Sequence, residues 1–171
     1  VREATLEGQR IACHGPGFTL DDLRLALLGT FQPSNALAAV AAARLMGAPD
    51  GAVREGLERV RWPGRFQVVG RDPSLVLDGA HNPGAASALA RSIRALFGDA
   101  PVTFVVGFSR DKDARAILAA LAPVARRLIL TADDFGYSPE VNAAVVAAFQ
   151  TGVLRYASLM VKRPAAEAKT E

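Results

Sequence analysis

Apolar and polar positions along the chain follow two spacings, which predict strands and helices in turn. Near the middle, Leu75–Leu77 is a short apolar run typical of a buried strand. Pro83 follows a polar turn and suits the first position of a helix, where its missing N–H costs nothing. Leu89, Ile93 and Leu96 then recur at helical spacing. Similar patterns predict strands at 66–69, 102–106 and 128–131, and helices at 35–47, 50–60, 114–122 and 139–149. Ser34 and Ser138 are the predicted caps of the first and last of these helices.

Several polar residues crowd the point where the central strand ends and its helix begins. Asp78 closes the strand, and His81 and Asn82 come just before Pro83. In open α/β sheets ligands bind outside the carboxyl ends of strands, and free N–H groups at a helix start favour phosphate. The pattern therefore predicts an anion site. The alternative is that Asp78 and Asn82 only cap the helix and that His81 is a surface residue.

Two further segments carry candidate binding residues. Arg65 emerges from the turn Trp62-Pro63-Gly64 just before a predicted strand, and an arginine fixed in this way can donate two parallel hydrogen bonds to an oxyanion. The alternative for Arg65 is a surface ion pair with Asp72 or Glu58. The segment 107–113, which contains Ser109 and Lys112, follows the apolar strand 102–106, and Asp113 is predicted to cap the next helix. Gln32 and Asn35 are interpreted as turn and capping residues.

Composition narrows the class of protein. Half of the 171 residues are hydrophobic, which indicates a globular chain, and the net charge is +3. The arginines are spread along predicted helices and lack an RNA-binding motif, which argues against a nucleic-acid partner. No apolar run is long enough for a membrane span, and no signal peptide is visible. The single cysteine, Cys13, fits a cytoplasmic location.

Four motifs in order resemble the C-terminal domain of the folylpolyglutamate and dihydrofolate synthases, within the Mur ligase superfamily. They are LLGTFQPSNALAAVAAARLMG, RWPGRFQVV, LDGAHNP and VVGFSRDKDARAILAAL. The resemblance implies a three-layer, Rossmann-like α/β fold with a mostly parallel sheet over residues 31–130. It also implies that residues 1–30 are the tail of a preceding ligase domain and its linker. Separated from that domain, the short hairpin predicted at 3–13 is expected to be frayed.

Beyond about residue 130 the pattern changes. TADDFGYSPEVNAAVVAAFQ resembles the opening strand, Asp-Asp-Phe-Gly turn and helix of the YdjC-like carbohydrate deacetylases. By this resemblance Asp133 and Asp134 are carboxylates of a metal site. The deacetylases complete that site with downstream histidines, whereas this chain has only His14 and His81. We therefore expect a chimeric strand–helix–strand at 131–171 that completes the ligase sheet without a working deacetylase site.

The ligase resemblance implies ATP and Mg²⁺ as cofactors and folate and L-glutamate as substrates. It assigns Arg65, Asp78 and His81 to the nucleotide, with Asn82, Ser109 and Lys112 nearby, and Asp78 and His81 to catalysis. The Gly-rich phosphate loop of the family, G-x-x-x-x-G-K-[ST], does not occur in this sequence. We therefore expect one wall of the cleft, weak nucleotide binding and no turnover by this chain alone, with the first domain missing or supplied elsewhere. The alternatives are a deacetylase fragment and a non-catalytic α/β module.

Overall fold

Two units make up the chain, Val1–Asp99 and Ala100–Glu171, in the computed structural model, which describes residues 1–109, 111–160 and 165. The first unit contains β1 (Glu3–Thr5), β2 (Gly8–Gly15), β3 (Phe18–Leu25), α1 (Gln32–Leu45), α2 (Asp50–Arg59), β4 (Gln67–Arg71), β5 (Ser74–Leu77) and α3 (Pro83–Phe97). The second contains β6 (Val102–Val106), α4 (Ala114–Leu121), a 3₁₀ turn (Ala122–Val124), β7 (Ala125–Phe135), α5 (Pro139–Gln150) and β8 (Tyr156–Leu159).

The N-terminal segment forms an ordered antiparallel sheet, in the order β1-β2-β3. Alternate residues of β2 and β3 are buried, and they pack against α1 and α2. The expectation of a frayed hairpin is therefore wrong, because the hairpin gains a third strand and two covering helices. The core of this part consists of apolar side chains from all four elements: Ile11, Cys13, Leu20, Leu23, Leu25, Ala36, Val40 and Val53.

Helix α1 begins earlier than its sequence pattern predicts. It starts at Gln32, and Pro33 lies in its first turn, where a proline is tolerated. Ser34 therefore lies inside the helix instead of capping it. The helix ends before Gly47, whose φ of 80° takes the chain out of the helical conformation, as its position predicts.

The segment between β3 and α1 is fixed by two buried polar side chains. Gln9 donates from Nε2 to the carbonyl oxygens of Leu27 and Gly29, at 2.8 and 3.1 Å. The Oγ of Ser92 on α3 accepts from the Thr30 N–H at 2.9 Å. This segment is thus attached to both the N-terminal sheet and α3.

The second unit is built on a parallel sheet in the order β6-β7-β8. Asp113 caps α4 by accepting from the Ala116 N–H, and Ser138 caps α5 by accepting from the Val141 N–H, as predicted. The predicted α/β class, with helices and a parallel sheet, is confirmed. The strand–helix–strand β7-α5-β8 extends that sheet, because β8 pairs in parallel with β7. The segment 131–160 is therefore part of the same fold.

The predicted boundaries at residues 30 and 130 do not coincide with the division between the two units, which falls at 99/100. The domain assignment concerns the origin of the segments and stays a prediction. Among the helices of the described residues, none combines the length and the apolar character needed to cross a bilayer.

Candidate functional site

The predicted site residues of the first unit flank a short antiparallel hairpin in the sequence. In the hairpin β4-β5, the first residue of β4, Gln67, pairs with the last residue of β5, Leu77. The turn before β4 and the loop after β5 must therefore lie at the same end. Arg65 belongs to that turn, and His81 belongs to that loop.

The Asp78 carboxylate connects the turn to the loop. Its Oδ2 accepts from the N–H of Phe66 at 2.8 Å, and its Oδ1 accepts from the N–H of Ala80 at 2.8 Å. Contact between the two segments is also shown by Gly79, where an added Cβ would lie 3.6 Å from the Gly64 carbonyl oxygen. Asp78 therefore does not cap α3, as one alternative held, but fixes two backbone segments with respect to each other.

The turn 62–67 has an unusual backbone. Gly64 has a φ of 70°, and Phe66 has a φ of 44°, a left-handed conformation that is uncommon for a residue with a bulky side chain. The Phe66 side chain is 1% exposed and anchors the turn in the core. The Gly64 N–H donates to Gln67 Oε1 at 2.9 Å, and the Arg65 N–H donates to the Trp62 carbonyl oxygen at 3.3 Å.

The guanidinium of Arg65 has no hydrogen-bond or ion-pair partner within residues 1–109, 111–160 and 165. Glu58, one of its two proposed surface partners, instead accepts from Arg24 at 3.4 Å. An exposed arginine on an anchored turn retains its full set of donors for an anion. The geometry thus favours the binding interpretation of Arg65 over the surface ion pair.

The loop after β5 presents an imidazole and a helix start. His81 Nδ1 lies 2.9 Å from the Gly79 carbonyl oxygen, and because a carbonyl only accepts, Nδ1 carries the proton and Nε2 remains available. The Asn82 side chain caps α3 by accepting from the Ala85 N–H at 2.8 Å, as the alternative interpretation held, and its role at the nucleotide stays a prediction. The Gly84 N–H, in the first turn of α3, has no partner among the described residues.

A cavity of about 720 Å³ opens beside Arg65 in the first unit. Apolar side chains of β3, α1 and α2 form most of its wall, and Trp62, Gln32 and Asn35 contribute polar or aromatic groups. Gln32 is 3% exposed, and its Oε1 accepts from Asn35 Nδ2 at 3.0 Å. The interpretation of these two residues as caps is wrong, because no side chain caps α1.

The spacing of the cavity residues on α1 is the signal that sequence reasoning passed over. Positions 32, 35, 36, 39, 40 and 43 follow the spacing i, i+3, i+4, i+7, i+8 and i+11 and so share one helix face. Two amide side chains therefore lie on a face whose Ala36 and Val40 belong to the core.

The remaining predicted binding residues belong to the second unit. The Lys112 N–H donates to the Ser109 carbonyl oxygen at 3.1 Å, which closes a turn after β6. The Lys112 ammonium contacts the neighbouring Asp111 carboxylate. Ser109 is exposed and Lys112 is half-buried. Their predicted role at the nucleotide stays a prediction.

The two carboxylates predicted as a metal pair lie near the end of β7. Asp134 is exposed, and its carbonyl oxygen accepts from the Tyr137 N–H at 3.0 Å. The side chain of Asp133 lies outside the described part of the chain. No group of three or more His, Cys, Asp or Glu side chains that could hold a metal ion occurs in the described residues. The metal assignment of Asp133 and Asp134 stays a prediction.

Comparison with known proteins gives one family match. The model described as "Mur ligase, glutamate ligase domain" matches residues 64–169. This match begins at the turn before β4 and continues past residue 131, so it includes most of the segment that resembles a deacetylase. The deacetylase resemblance itself stays a prediction.

Individual relatives and solved structures agree with the family match. The chain is 48% identical over 98 residues to a Halobacterium salinarum protein named "Probable bifunctional folylpolyglutamate synthase/dihydropteroate synthase", covering 57% of this chain and 12% of that protein. A Mycobacterium tuberculosis folylpolyglutamate synthase complexed with ADP superposes with a TM-score of 0.71 and 34% identity, covering 90% of this chain and 36% of that one.

A Thermotoga maritima folylpolyglutamate synthase superposes with a TM-score of 0.68 and 30% identity over 100% of this chain. The chain covers 41% of that structure and 12% of the Halobacterium protein. The chain thus spans well under half the length of the proteins that it matches.

Proposed function

The chain belongs to the Mur ligase family through its glutamate ligase domain, and we propose that it forms one wall of the nucleotide and glutamate cleft of an ATP-dependent folate–glutamate ligase. In a ligase of this kind, ATP converts a folate carboxylate to an acyl phosphate. The amine of L-glutamate then attacks the carbonyl carbon and displaces phosphate. The chemistry needs charge neutralisation at the phosphates and close positioning of two substrates.

One observation carries the proposal. The Asp78 carboxylate joins the Arg65 turn to the His81 loop, so that an unpaired guanidinium, an available imidazole nitrogen and the free Gly84 N–H share one end of the hairpin. The guanidinium and the Gly84 N–H are donors that suit polyphosphate, and His81 Nε2 becomes a third donor once the ring binds a second proton. In this proposal Arg65 and His81 contact the phosphates, Asn82 fixes the helix start, and Asp78 acts by holding both segments.

The cavity beside Arg65 offers a binding position for the base of the nucleotide. Its volume of about 720 Å³ exceeds what a purine needs, and its wall combines the Trp62 ring with the Gln32 and Asn35 amides. An apolar cleft with two amide groups fits a flat heterocycle with ring nitrogens. The donors at Arg65 then suit the attached phosphates.

Magnesium does not fit the residues of this hairpin end. Both oxygens of Asp78 already accept backbone N–H groups, and the described residues hold no cluster of metal-ligating side chains. The proposal leaves the metal ligands and the phosphate loop to other parts of a complete ligase, so this chain alone is expected not to turn over ATP.

Trp62 provides a direct test, because it is the single tryptophan of the chain and contributes to the cavity wall. Titration with ATP is expected to change its fluorescence saturably. Arg65→Ala is expected to weaken binding by about tenfold, the loss of one charge-assisted hydrogen bond. His81→Ala is expected to weaken it as much in acidic buffer, where the imidazolium donates from Nε2.

Arg59→Ala is the matched control, since it removes an equal charge from an exposed arginine that pairs with Glu55 on α2. Equal affinities in all four proteins would contradict the proposed site. A second assay measures ATP hydrolysis with and without folate. Folate-dependent hydrolysis by the chain alone would contradict the claim that it supplies only one wall.

A further inference from the structure

We propose that Gln67 is a positioning residue that closes the turn 62–67 and thereby aims the Arg65 guanidinium at polyphosphate. The inference rests on the proposed function and adds a residue to it. It starts from the free guanidinium of Arg65. With no side-chain partner among the described residues to hold it, the direction of this group depends on the backbone that carries it.

That backbone is held on both sides of Arg65. The consecutive N–H groups of Gly64, Arg65 and Phe66 all have acceptors, which are Gln67 Oε1, the Trp62 carbonyl oxygen and Asp78 Oδ2. Two of these three acceptors are side chains, so the turn does not close by backbone bonding alone. Gln67 acts from within the turn, while Asp78 acts from the neighbouring loop.

The turn also stores backbone strain. A left-handed conformation is unfavourable for a non-glycine residue and persists only where the surroundings impose it. At Phe66 these surroundings are the burial of the ring and the Asp78 hydrogen bond. Without the Gln67 acceptor, the Gly64 side of the turn loses its only side-chain bond among the described residues, and Arg65 gains alternative directions.

The role therefore predicts a selective effect. A misdirected Arg65 weakens contacts to phosphate but leaves contacts to the base unchanged. Binding of ATP and of adenosine is measured by calorimetry at pH 7.5 for the wild-type chain and for Gln67→Met, which keeps the side-chain length but removes the acceptor. We expect Gln67→Met to weaken ATP binding by about three- to tenfold, the worth of one hydrogen bond, and adenosine binding by less than about twofold.

Gln150→Met is the matched control, because Gln150 is an exposed residue at the end of α5 and its side chain has no partner among the residues that the structure describes. It should leave both affinities unchanged. Amide exchange at Gly64, followed by NMR without ligand, tests the hydrogen bond itself. Exchange should accelerate in Gln67→Met and return to the wild-type rate in Gln67→Glu, which restores an acceptor oxygen.

The outcomes separate the two proposals. If wild-type chain binds ATP no more tightly than adenosine, the phosphate site fails, and the role of Gln67 fails with it. If wild type prefers ATP and Gln67→Met retains that preference, only the positioning role is overturned. Equal losses for ATP and adenosine, or unchanged Gly64 exchange, also overturn it, because they indicate general damage or an unimportant hydrogen bond.

Discussion

The Asp78 carboxylate accepts N–H groups from two segments that lie twelve and two residues away, and replacing it should be costly. Asp78→Ala leaves both N–H groups without an acceptor inside a partly buried turn. We expect a loss of about 1–3 kcal/mol in the free energy of unfolding, measured by urea denaturation. Asp72→Asn, at an exposed aspartate, is the control and should change it by less than about 0.5 kcal/mol. A loss as small as the control's would mean that Asp78 does not join the two segments.

Cys13 offers a second prediction at this scale. Its side chain is 2% exposed, in the core between the N-terminal sheet and its helices, and burial raises the pKa of the thiol. Both effects suppress formation of the reactive thiolate. We expect reaction with a disulfide reagent such as DTNB to be slow in native protein and rapid in urea. Fast labelling of the native chain would contradict this burial.

Single residues also show what the sequence could and could not predict. Asn82 and Asp113 were identifiable as caps because they directly precede helical patterns, and both hold that position. The partners of Asp78 were not predictable, since the Phe66 N–H approaches it only after the hairpin forms. The role of Gln67 was not predictable for the same reason. Its hydrogen bond to the Gly64 N–H depends on two left-handed residues, Gly64 and Phe66, that no local pattern specifies.

Helix α3 supplies a prediction at the scale of elements, through two serines that make the same bond within the helix but differ in burial and in their contacts beyond it. Ser87 Oγ donates to the Pro83 carbonyl oxygen and Ser92 Oγ donates to that of Ala88, both four residues earlier. Ser92 Oγ also accepts from the Thr30 N–H, beyond the helix, and Ser92 is fully buried.

Ser92→Ala should therefore lower the free energy of unfolding by about 1–2 kcal/mol, because the Thr30 N–H loses its acceptor. Ser87→Ala should change it by less than about 0.5 kcal/mol. Thermal or urea unfolding of the two variants provides the measurement. Equal effects would show that the attachment of Thr30 to α3 contributes nothing beyond the helix itself.

The errors in the predicted elements have identifiable physical causes. Strand β3 was not predicted because Asp21 and Asp22 interrupt its apolar pattern, yet Asp22 has a φ of 52° and lies where the pairing of β2 with β3 shifts register. A bulge thus absorbs the polar pair. Helix α1 starts three residues before the predicted position, because Pro33 is accommodated in its first turn and Ser34 does not cap it.

On the scale of the first unit, an ion pair links two hairpins that are far apart in sequence. Arg71 at the end of β4 donates to Glu7 in the turn between β1 and β2, at 2.7 Å. This hydrogen bond, together with one from Thr5, holds the pKa of Glu7 below its usual value of 4.5. A lowered pKa contributes stability above the unfolded-state pKa, and this contribution disappears as pH falls through the folded-state pKa.

The difference in unfolding free energy between wild type and Glu7→Gln should therefore be constant near neutral pH and vanish in acid, starting below about pH 4.5. Since both side chains are exposed, 1 M salt should reduce the difference at neutral pH as well. Urea denaturation across pH 3–7 provides the measurement. A difference that grows on acidification would contradict the sign argued here.

For the chain as a whole, the alternation of strand and helix patterns was enough to predict the α/β class. The apolar run at 102–106 predicts a strand, and that strand, β6, pairs in parallel with β7. The N-terminal sheet was underestimated because its apolar face is covered by helices α1 and α2, and the alanine-rich α1 carries little periodic signal. Packing between distant segments supplied what local pattern lacked.

The register of the hairpin β4-β5 constrains how the sequence can change in length. Pairing of Gln67 with Leu77 sets the distance between the Phe66 amide and Asp78, whereas the opposite tip, between Arg71 and Ser74, points away from this end. Insertions at that tip would extend the hairpin outward and leave the Arg65 turn unchanged. Deletion of one residue from a single strand would reverse which side chains face inward and separate Phe66 from its acceptor. Length variation among relatives is therefore expected at the tip and excluded from the strands.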